Sequence, residues 1–206
     1  DILILSPGID FEYDAIKGLK ENLKNTVFTA WKSGIETNIF SEAIKKLEHN
    51  QNVIVSIPLS PYRCPPGPYE RASLIANYIK KRALKSKVIV LDANQKIVSK
   101  GNLFSQAWKD LYENIIEYIP DSKVVELNVD EKKVYTEFDE YNFEIANIIP
   151  PQKASQLLHK SELIEKDRKW AKVNPYDFSS KLDKDIYIIG DSTDTSSIGR
   201  IPKSGY

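Results

Sequence analysis

Two runs of β-branched residues, "NVIVSIP" (52–58) and "SKVIVLDA" (86–93), limit what this chain can fold into. Each is a short, continuously apolar stretch with no polar alternation, as expected of a strand covered on both faces. Between them Ala72, Ile75, Ala76 and Ile79 recur at helical spacing, which predicts a helix over about 69–83. Strand, helix and strand in about forty residues make a right-handed βαβ crossover the default arrangement.

Further elements follow the same logic. "ILILS" (2–6) is a short strand closed by Pro7-Gly8. "ETNIFSEAIKKLEHN" (36–50) carries a helical stripe at Ile39, Ala43, Ile44 and Leu47. A helix over about 103–115 holds Phe104, Trp108 and Leu111, and "IIEYI" is a further candidate strand. "KVVELNVD", "KKVYTEF" and "YNFEIANIIP" are separated by turn signals at Asp130-Glu131 and Asp139-Glu140, which predicts a three-stranded antiparallel meander. "DIYIIGDSTDT" (185–195) reads as a last buried strand ending in Gly190-Asp191. The fold class is α/β, a Rossmann-like βαβ unit plus a meander.

Bulk properties exclude several functions. Lys+Arg and Asp+Glu balance at 29 each, so there is no basic excess for a dedicated nucleic-acid surface. No apolar run approaches the eighteen or so residues of a membrane span. One cysteine rules out an internal disulfide and a cysteine-rich metal site, and His49 and His159 lie far apart without ligand-like spacing. The chain contains no methionine, opens inside a strand and stops at "IPKSGY", so it reads as a piece of a longer protein.

The single cysteine sits where a dinucleotide-binding unit would keep its glycines. That strand-to-helix turn is "LSPYRCPPGPYERA", with one glycine and four prolines in 61–68. Prolines remove the amide donors that a pyrophosphate needs. Asp92, at the end of the next strand, occupies the place of a ribose-binding carboxylate, but without the glycine turn it reads as a relic or a cap. The residues therefore argue for the fold and against NAD. Arg63 and the following helix N-terminus would favour a Cys64 thiolate, and Glu70 in the first helical turn could accept a proton. The plainer alternatives are that Cys64 is a buried small hydrophobe and Glu70 an ordinary first-turn carboxylate.

"RCPPGPYERA" (63–72), "NIIPPQKA" (147–154) and "IYIIGDSTDTSSIGRIPKSGY" (186–206), with "SPGIDFEYD" (6–14) and "AWKSG" (30–34), resemble one family. It is the flavoprotein subunit of flavocytochrome c sulfide dehydrogenase, related to sulfide:quinone oxidoreductases and to glutathione-reductase-like flavoproteins. The resemblance implies an NAD-type domain at 36–150 inserted into an FAD-binding domain, of which 1–35 and 151–206 are partial segments. It implies that Cys64 is half of a redox-active cystine whose partner lies downstream of this chain, and that Glu70 is the nearby base. Gly8, Gly190 and Asp191 match cofactor-side loops, and Lys203, Ser204 and Gly205 match the segment along the flavin ring. The implied activity is sulfide oxidation through FAD, without NAD, in the periplasm, with electrons passed to a cytochrome c subunit. Alternatives are a quinone as acceptor, or an isolated chain that serves only as a scaffold and binds no cofactor.

Overall fold

The computed structural model describes residues 2–20 and 26–194. In chain order the strands and helices begin with β1 (Leu3–Leu5), β2 (Ile9–Phe11), β3 (Val27–Phe28) and α1 (Ile35–Lys45). They continue with β4 (Val53–Ile57), α2 (Gly67–Lys81), β5 (Val88–Asp92), α3 (Gly101–Tyr112) and β6 (Ile116–Ile119). Next come β7 (Val124–Asn128), β8 (Lys133–Thr136), β9 (Glu140–Asn142) and β10 (Ile145–Ile148). The last are β11 (Gln152–Ala154), α4 (Gln156–Lys160) and β12 (Ile186–Ile188). The described residues divide into two compact units, 13–151 and the paired segments 2–12 and 152–194.

The larger unit has three layers. Its centre is a parallel sheet in the order β3-β10-β4-β5-β6. Every residue of β4 and β5 is buried, and the clusters around them show why. Val53, Val55, Ile57, Val88 and Val90 pack against α1, α2 and α3 through Phe40, Ile44, Ile75, Ile79 and Trp108. Ile54, Ile89 and Leu91 point the other way, onto Val124, Leu127, Val134 and Phe143 of the meander region. A strand covered on both sides has no use for polar alternation, which is the pattern the sequence carries. The mixed α/β fold is thus as expected.

The three-stranded antiparallel meander is present as expected, with a shorter third strand. β7, β8 and β9 pair antiparallel, but only the start of the run "YNFEIANIIP" belongs to their third strand. Glu140–Asn142 ends the meander, and Ile145–Ile148 crosses into the parallel sheet between β3 and β4. Asn147 makes this possible. Its fully buried amide donates to Phe28 O at 3.0 Å and Thr29 O at 2.8 Å, so a polar residue sits inside the sheet with its hydrogen bonds made.

The boundary between the compact units falls between Glu12 and Tyr13. Ile16 and Leu19 join the meander-side core, and Lys17 exchanges backbone hydrogen bonds with Val125 O and Leu127 N at 2.9 and 2.8 Å. In the smaller unit β1 pairs parallel with β12 and β2 antiparallel with β11, over a core of Leu158, Leu163, Ile164, Val173 and Ile188.

Gly18 tests the packing of segment 13–19. Its φ is +81° and a Cβ there would lie 2.1 Å from the Leu127 carbonyl oxygen, so neither backbone nor space admits a side chain. Gly18→Ala is expected to cost about 2–4 kcal/mol, read as a lowered urea midpoint. An unchanged midpoint would show that this segment does not support the meander.

Candidate functional site

The loop after β4 is built to present a sulfur atom. Tyr62 is buried beneath it, with its hydroxyl donating to Pro65 O at 3.1 Å. The Cys64 carbonyl accepts the Gly67 amide at 2.9 Å, which closes the turn into α2. Cys64 itself has φ +57°, a left-handed conformation uncommon for a residue with a Cβ. Prolines at 65, 66 and 68 fix the chain on the far side. The result turns the Cys64 side chain outward, and it is exposed. The reading of Cys64 as a buried hydrophobe is therefore wrong, because the left-handed turn carries its side chain out to solvent.

Gly67 is needed here for space. A Cβ on it would stand 2.7 Å from the Trp31 ring and 3.1 Å from Cys64 Sγ. The indole and the sulfur thus converge over one bare helical position. Glu70 lies in the first turn of α2 and is exposed, with its amide donating to Pro66 O at 3.0 Å. Arg63 is buried, only 5 % exposed.

Residues that the sequence reading passed over surround this point. Arg71 donates to Asn147 Oδ1 at 2.9 Å and to Ala30 O at 2.7 Å, and its guanidinium stands 5.0 Å from the Trp31 ring centre. Glu36 accepts the Thr29 and Ala30 amides at 2.7 and 2.9 Å, holding the segment that carries Trp31. Burial pulls the Arg71 guanidinium below its usual value, while the charges of Glu36 and Cys64 push it back up. The available signal was spacing: Arg71 follows Gly67 by four residues, so both share one helix face.

Asp92 forms the floor of the same end of the sheet. It is fully buried, and its Oδ2 accepts the hydroxyls of Tyr69 at 2.7 Å and Tyr118 at 2.9 Å. Its Oδ1 accepts the Asn94 amide at 2.9 Å and the Asn94 side chain at 2.7 Å. Asn94 also donates to Pro58 O at 3.0 Å and accepts from Ser60 N at 3.0 Å. This carboxylate is a structural hub for the loop.

In the smaller unit three expected residues come together. Gly8 (φ +74°) and Gly190 (φ +79°) both occupy left-handed turns. The Ser192 hydroxyl donates to Gly8 O, and Ser6 Oγ lies 3.4 Å from where a Gly190 Cβ would be. Nothing stands within 4 Å of a Cβ built on Gly8, so the turn offers an open backbone face beside half-buried Asp191. An open glycine turn with a carboxylate after a strand fits the hydroxyl-rich chain of a flavin. Lys203, Ser204 and Gly205 lie outside the described residues.

A parallel sheet with helices on one face and an antiparallel meander on the other is the fold of the FAD- and NAD-dependent pyridine nucleotide-disulfide oxidoreductases. The chain resembles the water-forming NADH oxidase of Lactobacillus brevis, solved bound to NADH (14% identity, TM-score 0.66, covering 94% of this chain and 39% of that one). It also resembles an NAD-dependent persulfide reductase from A. fulgidus (18%, TM-score 0.63, covering 94% and 34%). At these identities the likeness shows the fold alone. The model for the central part of the sulfide dehydrogenase [flavocytochrome c] flavoprotein chain matches residues 37–150, over half of the sequence, and the chain belongs to that family. It is similar too to the mitochondrial sulfide:quinone oxidoreductase of Dictyostelium discoideum, 23% identical over 94% of this chain and 44% of that protein. The chain thus spans less than half the length of that relative.

The tyrosines around Asp92 give a pH test. Burial pushes Tyr69 from its ordinary 10.0 up to about 12, with the Asp92 charge adding to the effect. Burial likewise holds Tyr62 and Tyr118 far above the usual tyrosine range. The unfolded chain releases these protons near pH 10 while the folded one keeps them. Their contribution to stability is therefore complete below pH 10 and is lost as pH rises towards about 12. Tyr69→Phe is expected to cost about 1–2 kcal/mol at neutral pH and to flatten the alkaline loss of stability, measured by urea unfolding across that range. A variant with the wild-type alkaline slope would refute the assignment.

Proposed function

We propose that the intact protein is an FAD-dependent sulfide oxidoreductase in which Cys64 is one half of a redox-active cysteine pair. One observation carries the reading: an exposed cysteine on a proline frame stands at the carboxyl end of a Rossmann-type strand, within the stretch matched by the family. Bound FAD would supply the two-electron acceptor for sulfide sulfur passing to the zero-valent level. Gly8, Gly190 and Asp191 would hold it in the smaller unit, with Lys203, Ser204 and Gly205 along the ring.

This chain's own residues have separable tasks. The left-handed turn at Cys64 keeps Sγ exposed to a small sulfur nucleophile. Glu70, exposed in the first turn of α2, is proposed to accept the proton of hydrogen sulfide. The absence of NAD use is supported by two features. Prolines stand in place of a pyrophosphate loop, and Asp92, where a ribose would be held, has both oxygens engaged by protein donors. Electrons would pass to a cytochrome c subunit in the periplasm. A membrane quinone is the second reading, favoured by the similarity to the Dictyostelium enzyme.

In the intact protein Cys64→Ser is expected to abolish sulfide-dependent bleaching of the flavin while flavin stays bound. Glu70→Gln is expected to slow bleaching by about 10²-fold. Undiminished bleaching in Cys64→Ser would sink the mechanism. Cytochrome c and a quinone analogue assayed side by side as acceptors decide between the two readings.

A further inference from the structure

Arg71 is a half-buried cation with neutral hydrogen-bond partners. Its two described hydrogen bonds go to an amide oxygen and a backbone carbonyl, Asn147 Oδ1 and Ala30 O. Among the described residues no carboxylate stands within ion-pair distance of it. Glu36, the acid nearest in effect, has both oxygens on the Thr29 and Ala30 amides. Withdrawing a guanidinium from water without a counter-ion in contact is costly, and an Asn or Gln could make comparable hydrogen bonds without a charge.

The charge has a direction. Helical side chains lean towards the helix N-terminus, so Arg71 reaches back over Gly67 towards the cysteine turn. Its guanidinium lies against Trp31, and the edge of that indole and Cys64 Sγ both border the bare Gly67 position. Trp31 and Phe40, at 5.0 and 5.6 Å, shield the cation on its ring-facing sides, where water would otherwise screen it. The electrostatic influence of Cys64 on Arg71 is consistent with this arrangement.

We propose that Arg71 is a positioning residue for sulfur anions at Cys64: its charge draws small anionic sulfur species, such as hydrosulfide, in preference to neutral thiols. This rests on reading Cys64 as the sulfur-handling group. The alternative is a purely structural cross-link from α2 to Ala30 and Asn147, and a charge-selective measurement separates the two.

The test is alkylation of Cys64 in the intact, reduced protein, followed by mass spectrometry of the Cys64 peptide. Iodoacetate carries a negative charge and iodoacetamide does not. Arg71→Gln is expected to lower the ratio of their rates about five-fold, while Arg71→Lys keeps most of it. A structural role would change both rates together, so an unchanged ratio in Arg71→Gln overturns the proposal. Should that variant fail to fold, the wild-type ratio must fall as ionic strength rises, and a salt-insensitive ratio overturns it equally. Flavin bleaching in Cys64→Ser reports separately on the sulfide reading. Normal bleaching there would remove that reading and leave the measured ratio intact.

Discussion

A buried carboxylate governs the carboxyl end of the sheet. Asp92 ends β5, and its two oxygens collect four hydrogen bonds from α2, β6 and the following loop. Asn94 extends the grip to Pro58 and Ser60, where the chain leaves β4. Both feet of the cysteine loop are therefore tied to Asp92, Tyr69 directly and Pro58 and Ser60 through Asn94. A charge this deep is tolerable only because every donor is in place. The outward turn at Cys64 depends on that anchoring, since a left-handed residue ahead of a proline pair keeps its geometry only when both flanks are held.

The same architecture elsewhere holds a dinucleotide by backbone amides and a free carboxylate. Here each of those elements has another partner. The Gly67 amide goes to the Cys64 carbonyl, prolines occupy 65, 66 and 68, and the Asp92 oxygens turn inward to tyrosines. Beside the loop Arg71 stands over Trp31, and Glu36 holds the amides of Thr29 and Ala30 that precede it.

What could be read from the sequence follows from how local each signal is. β4, β5 and α2 were legible because their patterns need only neighbours along the chain: apolar runs for strands buried on two faces, and a stripe for the helix. β10 was not. In "EIANIIP" the polar Asn147 suggests an alternating, half-exposed strand, whereas its amide is buried and bonded to residues 28 and 29. A polar side chain satisfied across more than a hundred positions leaves no local trace. β3, with two residues, is too short for any periodicity. At the site, the cysteine and its prolines stood out by composition. Arg71 carried no local signal, because its neighbours Trp31 and Asn147 come from remote segments. Asp92 was read as a relic or a cap, and its hydroxyl donors could not be inferred from spacing.

The position of β10 also constrains the order in which the sheet can assemble. β4, β5 and β6 are joined by consecutive crossovers and can associate as soon as residue 119 is available. β3 has β10 as its partner in the sheet, and β10 enters between β3 and β4 only after the whole meander has been made. During synthesis β3 must therefore wait for more than a hundred residues, with one edge of β4 unpaired meanwhile. Such non-local closure slows folding and leaves a transient edge open to wrong pairing. The Asn147 amide, arriving with the last strand, is the group that joins the two halves.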